Sequence, residues 1–253
     1  MEARAPVRPA ARTWRERRLD RDGTRGLRLS LAALAAFLVL LPFTLLAVLV
    51  AGAWPPLHDL DAAVTDTMYR YAVAHPTWTR TMNLWTDVFG PGPLRVAALA
   101  LVVWLWARDA RRLALWVLTT MAVGGLLSAL LKLLVGRNRP DLLDPVAEAV
   151  GYAFPSGHAA NATLAAGVLL VVYLPYTRGR PGARAALWVA ALVLAGLTGL
   201  SRVALGVHWT SDVVAGWLLG VAVVAATSAA FVVWRAPGAT PSGGDGAAAG
   251  PGR

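Results

Sequence analysis

The stretch WTSDVVAGWLLGVAVVAATSAAFVVW, from Trp209 to Trp234, carries one acidic residue and no basic one. A helix of about 20 mostly apolar residues crosses the hydrocarbon of a bilayer. The stretch therefore predicts a membrane-spanning helix, with its only charge, Asp212, in the first turn. Working outward, the same pattern gives five more spans, at Leu29–Ala51, Pro93–Ala107, Leu113–Val135, Gly157–Leu174 and Ala185–Leu200. Pro93–Ala107 is the shortest and carries Arg95, a cation that can snorkel outward from a helix end. Ala51-Gly52-Ala53 has the small-residue look of a signal-peptide cleavage site, but the apolar run before it is long enough to be an uncleaved anchor. The expected fold is all-α: a six-transmembrane-helix bundle.

The composition agrees. Of 253 residues, 57% are apolar and only 15% charged, where a soluble domain is nearer a quarter charged. There is no cysteine, which excludes a thiol nucleophile and thiolate metal sites. The net charge of +10 is concentrated in the tail before Leu29, with nine arginines against four acids. A basic tail ahead of an apolar span holds that end in the cytoplasm and can meet anionic lipid head groups; nucleic acid is not the expected partner. With the N-terminus inside, 17 basic residues fall on the cytoplasmic side and 7 outside: Arg70, Arg80, Arg95, Lys132, Arg137, Arg139 and Arg202. The chain divides into a basic tail (1–28), the six-span domain (29–235) and an Ala/Gly/Pro-rich tail (236–253), both tails expected to be disordered and cytoplasmic. In the first outer loop, Leu60, Val64, Met68, Tyr71 and His75 recur at helical spacing, as do Trp78, Met82, Trp85 and Phe89. They predict two short amphipathic helices on the membrane surface, separated by Pro76 and ended by Gly90-Pro91-Gly92-Pro93.

Three polar clusters fall at the outer ends of these spans. The first runs from Lys132 to Arg139-Pro140, the second is Pro155-Ser156-Gly157-His158, and the third runs from Ser201-Arg202 through His208 to Asp212. A helical bundle can bring three such ends together. Cations at a low-dielectric boundary are costly unless paired or functional, and the nearby acids Asp141, Asp144 and Glu148 lie in one loop. An anion is the simplest partner for Lys132, Arg139 and Arg202, with arginine offering a planar fork for phosphate oxygens. Ser156-Gly157 opens an apolar helix, whose free N–H groups also hold anions. His208 and Asp212, four apart, share a helix face; a carboxylate on one ring nitrogen leaves the other free to attack. A protonated His158 can donate to a leaving oxygen. Arg137 is read as a loop or interfacial cation, and His58 and His75 as residues without a role in the chemistry. Asp59-Leu60-Asp61 has the look of an aspartate-nucleophile motif but sits in an amphipathic loop with no buried strand before it.

The clusters resemble the signature of the type 2 phosphatidic acid phosphatase superfamily, the lipid phosphate phosphatases: K-x6-RP, PSGH and SR-x5-H-x3-D. Every position matches, at Lys132, Arg139-Pro140, Pro155 to His158, Ser201-Arg202, His208 and Asp212. The resemblance implies His208 as a nucleophile that forms a phosphohistidine, Asp212 orienting it, and His158 protonating the leaving group. It implies Lys132, Arg139, Ser156, Gly157 and Arg202 as phosphate ligands, with no metal and no cofactor. The implied activity is a phosphatase of the cytoplasmic membrane acting on the outer face, its substrate phosphatidic acid, phosphatidylglycerol phosphate or a polyprenyl diphosphate. A lipid phosphotransferase or a relative of the vanadate haloperoxidases would share this anion site. A non-catalytic lipid-binding or transport protein would need the cations but not the His208–Asp212 pair.

Overall fold

The computed structural model describes residues 37–142, 146, 147 and 149–233. Both tails, the start of the first span, Asp144, Glu148 and Trp234 lie outside the described residues. Those described are all-helical, with no strand among them. Helix α1 (Phe37–Ala51) bends by 91° into α2 (Pro55–Ala74). Then come α3 (Pro76–Val88), α4 (Pro91–Ala107), α5 (Arg111–Val135), α6 (Gly157–Tyr173), a 3-10 turn (Leu174–Thr177), α7 (Pro181–Ala204) and α8 (Thr210–Val233). Five helices are long and apolar enough to cross a bilayer, or six if the bent pair α1/α2 counts as one. The protein is a polytopic membrane protein.

The second crossing differs from the sequence expectation. It is the C-terminal half of a run that qualifies as one 32-residue helix, Pro76–Ala107. Gly90 caps α4 and Pro91 follows in its first turn. There the missing proline N–H costs nothing and its fixed φ suits a helix, so Gly90-Pro91 restarts the helix at once. The two loop stripes also part company. On α2 the buried residues are Asp61, Thr65 and Ala72, while Leu60, Met68 and Tyr71 stand exposed. On α3 the stripe packs inward: Met82 joins Ala204, Leu205 and Val207 in one cluster, and the Trp85 indole N–H donates to Thr198 Oγ1 at 3.1 Å.

Helix α6 lies at the centre, with α4, α5, α7 and α8 packed around it. Its contact with α8 depends on two glycines four apart. A Cβ on Gly216 would stand 2.6 Å from the Ser156 carbonyl oxygen, and one on Gly220 would stand 2.6 Å from Thr163 Cβ. Small residues at this spacing let helices approach closely in a membrane. That approach brings the start of α8 beside the start of α6, where the Ser156 N–H donates to the Asp212 carbonyl at 2.9 Å.

Candidate active site

The C-terminal ends of α5 and α7 and the N-terminal ends of α6 and α8 meet at one end of the bundle, bringing the three polar clusters together. Gly136 caps α5 with a φ of 60°, a left-handed conformation that glycine adopts without a Cβ penalty. The chain then folds back across the bundle end, with the Ala153 N–H donating to the Arg137 carbonyl at 2.8 Å. At the start of α6 the Ser156 hydroxyl accepts from the Ala159 N–H at 3.5 Å. The first N–H groups of that helix have no intrahelical acceptor, and its first residues, Gly157 and His158, line a cavity.

His208 is buried between α7 and α8. Its Nδ1 lies 3.3 Å from Asp212 Oδ2, and its Nε2 lies 3.1 Å from Arg139 Nη1. A guanidinium has no acceptor, so Nε2 is the accepting nitrogen and Nδ1–H donates to the carboxylate. The same Asp212 oxygen accepts from the Trp209 N–H at 2.9 Å. Burial pushes the imidazole down to about 4, against the opposing pull of Asp212. At neutral pH the ring is uncharged, with its Nε2 lone pair directed at the cationic side of the site. Arg139 is fixed by backbone carbonyls, donating to Gly151 at 2.8 Å and to Val207 at 2.7 Å. Its own burial pulls its pKa below the usual value. Lys132 Nζ donates to the Tyr152 carbonyl at 2.5 Å. Arg202, buried, donates from Nη1 to Thr86 Oγ1 at 3.1 Å, and its Nε–H has no protein partner.

Five of the eight residues nominated from the sequence, Lys132, Arg139, Gly157, His158 and His208, line one cavity of about 290 Å³. Ser156, Arg202 and Asp212 are buried and are not part of its lining. Pro91, Arg95, Gly125, Ser128, Ala129 and Asn161 complete the lining. An apolar groove of about 490 Å³ between α4 and α5 opens from the cavity and shares Arg95, Gly125 and Ala129 with it. Among the described residues, no three His, Asp or Glu side chains are grouped to hold a metal ion.

Two residues set aside in the sequence reading belong to this site. Arg137 is not a free loop cation. Its Nη1 donates to Asp212 Oδ1 and to Ser211 Oγ, each at 2.7 Å, and its Nη2 donates to Asp61 Oδ2 at 2.8 Å. Its guanidinium also lies 5.3 Å from the Trp209 ring centre. Asp61 is no surface residue of α2. It is 1% exposed, accepts from the Ser211 N–H at 2.9 Å and is bonded to the Ser211 hydroxyl. One cation thus joins two buried carboxylates, one of them the carboxylate that holds His208. Charged residues in an apolar chain tend to find one another, and that was the available signal. Arg95, an exposed residue near the start of α4, donates from Nε to Asn161 Oδ1 at 3.1 Å. His58 meets Trp209 edge to face and His75 stacks on Tyr71, both away from the cavity lining.

Fold and site define a polytopic membrane protein with a cationic, histidine-bearing cavity at one end of its helices. The family model of the PAP2 superfamily matches residues 113–236, so this part of the chain is similar to that family. Over 98 residues, 38% of this chain and 46% of the relative, it is 39% identical to phosphatidylglycerophosphatase B of Bacillus subtilis. Over 83 residues, 33% of this chain and 34% of the relative, it is 37% identical to undecaprenyl-diphosphatase of Sulfolobus acidocaldarius. The chain thus spans less than half the length of each of these curated relatives. Its fold is similar to the crystal structure of a transmembrane PAP2-type phosphatidylglycerolphosphate phosphatase from Bacillus subtilis. That similarity has a TM-score of 0.64 and 27% identity, covering 76% of this chain and 94% of that one.

Proposed function

We propose that the protein is a lipid phosphate phosphatase that works through a phosphohistidine on His208. The observation that carries this reading is the setting of His208: Nδ1–H on Asp212, and an unprotonated Nε2 facing Arg139 in a cavity lined by Lys132 and the start of α6. Nε2 attacks phosphorus, and the bond from phosphorus to the leaving oxygen breaks. His158 gives its proton to that oxygen, so the lipid leaves as an alcohol or a lipid monophosphate. The neutral His158 then takes a proton from water, whose oxygen attacks the phosphohistidine, releasing phosphate and restoring both rings. Lys132, Arg139, Arg202, Ser156 and the Gly157 N–H stabilise the charge on the equatorial oxygens, and such preorganised charge is the main source of rate in phosphoryl transfer. The mechanism needs no metal.

The apolar groove between α4 and α5 supports a lipid as the substrate, because it leads from the cavity along two helices whose exposed faces are apolar. The proposed substrates follow the names of the relatives: phosphatidylglycerol phosphate or a polyprenyl diphosphate, with phosphatidic acid as the third candidate. We place the protein in the cytoplasmic membrane, with residues 1–28 and 236–253 as cytoplasmic tails, 29–235 as the phosphatase domain and the site on the outer face. The 17-to-7 division of basic residues supports that orientation. The test is phosphate release by purified protein in excess EDTA, across phospholipid and polyprenyl phosphates. Release from at least one lipid is expected; release from none, or only after a divalent ion is restored, contradicts the proposal.

A further inference from the structure

We propose that Arg95, held by Asn161, forms a second phosphate subsite. It binds a phosphate lying between the phosphorus under attack and the hydrocarbon chain, and so selects lipids that carry two phosphates. This rests on the phosphatase reading above. Arg95 is the one charged residue of α4, and among the described residues no carboxylate pairs with it. An unpaired cation on an apolar helix is costly; this one is exposed, yet it reaches Asn161 on α6 and lines the cavity. Its Nε donates to Asn161 Oδ1 at 3.1 Å, while Asn161 Nδ2 donates to the Gly157 carbonyl at 2.8 Å. The amide is therefore fixed with its oxygen toward Arg95, leaving the Nη groups available to a ligand. Those groups lie over Gly125, where a Cβ would stand 3.8 Å from Nη2.

The position of Arg95 along the substrate path gives it this role. Gly125, Ser128, Ala129 and Lys132 form one face of α5 and line the polar cavity; residues three, four and seven apart share a helix face. Lys132 stands at the His208 end of that face, and Gly125, two turns earlier, stands under Arg95. Beyond Arg95 the α4 face continues as Ala98, Leu99 and Val102, which line the apolar groove. A lipid with its reacting phosphate at His208 and its chain in the groove must pass Arg95 between the two. In a diphosphate or a glycerol-linked bisphosphate, that intervening segment carries a second anion, suited to the guanidinium fork. In phosphatidic acid or a prenyl monophosphate it carries none.

The test compares kcat/KM for matched pairs: polyprenyl diphosphate against monophosphate of equal chain length, and phosphatidylglycerol phosphate against phosphatidic acid with the same acyl chains. Arg95→Gln is expected to lower the two-phosphate to one-phosphate ratio at least tenfold in one pair or both, and the responding pair identifies the spacing recognised. A ratio within threefold of wild type in both pairs, or an equal loss on every substrate, overturns the subsite. Where Arg95→Gln does not fold, wild-type inhibition by methylenediphosphonate against methylphosphonate decides. A Ki at least tenfold lower for the diphosphonate is expected, and equal Ki values overturn the proposal. Wild-type protein that turns over none of the four lipids refutes the phosphatase reading itself, a result distinct from an unchanged ratio.

Discussion

Replacing Arg137 with alanine removes the cation shared by Asp61 and Asp212. Arg137 is 13% exposed, Asp61 1% and Asp212 0%, so water cannot take over its hydrogen bonds. Removing one partner from a buried ion pair costs about 3–5 kcal/mol, because a buried charge is left uncompensated. Two carboxylates lose their shared donor here, so a loss within that range is expected. Asp212 keeps its bonds from Trp209 N–H and His208 but loses the donor to Oδ1, so orientation of the imidazole is weakened rather than abolished. The expected fall in kcat is about 10- to 100-fold, short of the three to four decades expected from losing such a carboxylate outright. Lysine should not rescue, since a single ammonium cannot span both acids as the fork does. The decisive assay is a double-mutant cycle with Asp61→Asn, reading melting temperature in detergent and turnover. Because the two sites are in contact, coupling of about 1–3 kcal/mol is expected, with the double variant more stable than Arg137→Ala alone. Additive effects, or an Arg137→Ala variant with wild-type melting and turnover, refute the reasoning.

Three further outcomes are expected. His158→Ala should be impaired far more on an alkyl phosphate lipid than on p-nitrophenyl phosphate, whose leaving group needs no proton; equal defects would recast His158 as a binding residue. The acid limb of kcat/KM, corrected for substrate ionisation, should lie near 4, because burial keeps the His208 ring neutral above that value and protonation below it removes the attacking lone pair; a limb at the ordinary histidine pKa of about 6.5 would contradict the buried, neutral ring. In the cysteine-free chain, an impermeant reagent applied to intact cells should label a cysteine placed at Tyr152 and not one placed at Arg111 or Arg180; the reverse pattern inverts the proposed topology.

The grouping of the nominated residues was legible wherever local spacing decides it. Lys132 and Arg139 lie at the end of α5 and just beyond it, Ser156 to His158 open α6, and Arg202 and Asp212 sit at the end of α7 and the start of α8, so apolar blocks of alternating direction bring them to one end of the bundle. Asp61 was not legible. It meets Ser211 from 150 residues away, and its partner Arg137 differs in sequence from an ordinary loop arginine only by lying two residues before Arg139. The second crossing starts at Pro91, two residues before the expected Pro93, because a proline in the first turn after the Gly90 cap fits a helix start. The bond that holds Arg95 comes from Asn161, a residue of a different helix, which no periodicity along α4 reveals.

The central claim is that His208 carries the phosphoryl group. The most direct test is rapid acid-free quenching of the protein with lipid labelled at its terminal phosphate, followed by peptide mapping of the bound label. The account predicts a phosphoenzyme stable in alkali and labile in acid, mapped to His208, formed faster than the steady-state rate and missing from His208→Ala, which should show no measurable turnover. Label on another residue, or near-normal turnover by His208→Ala, would contradict it.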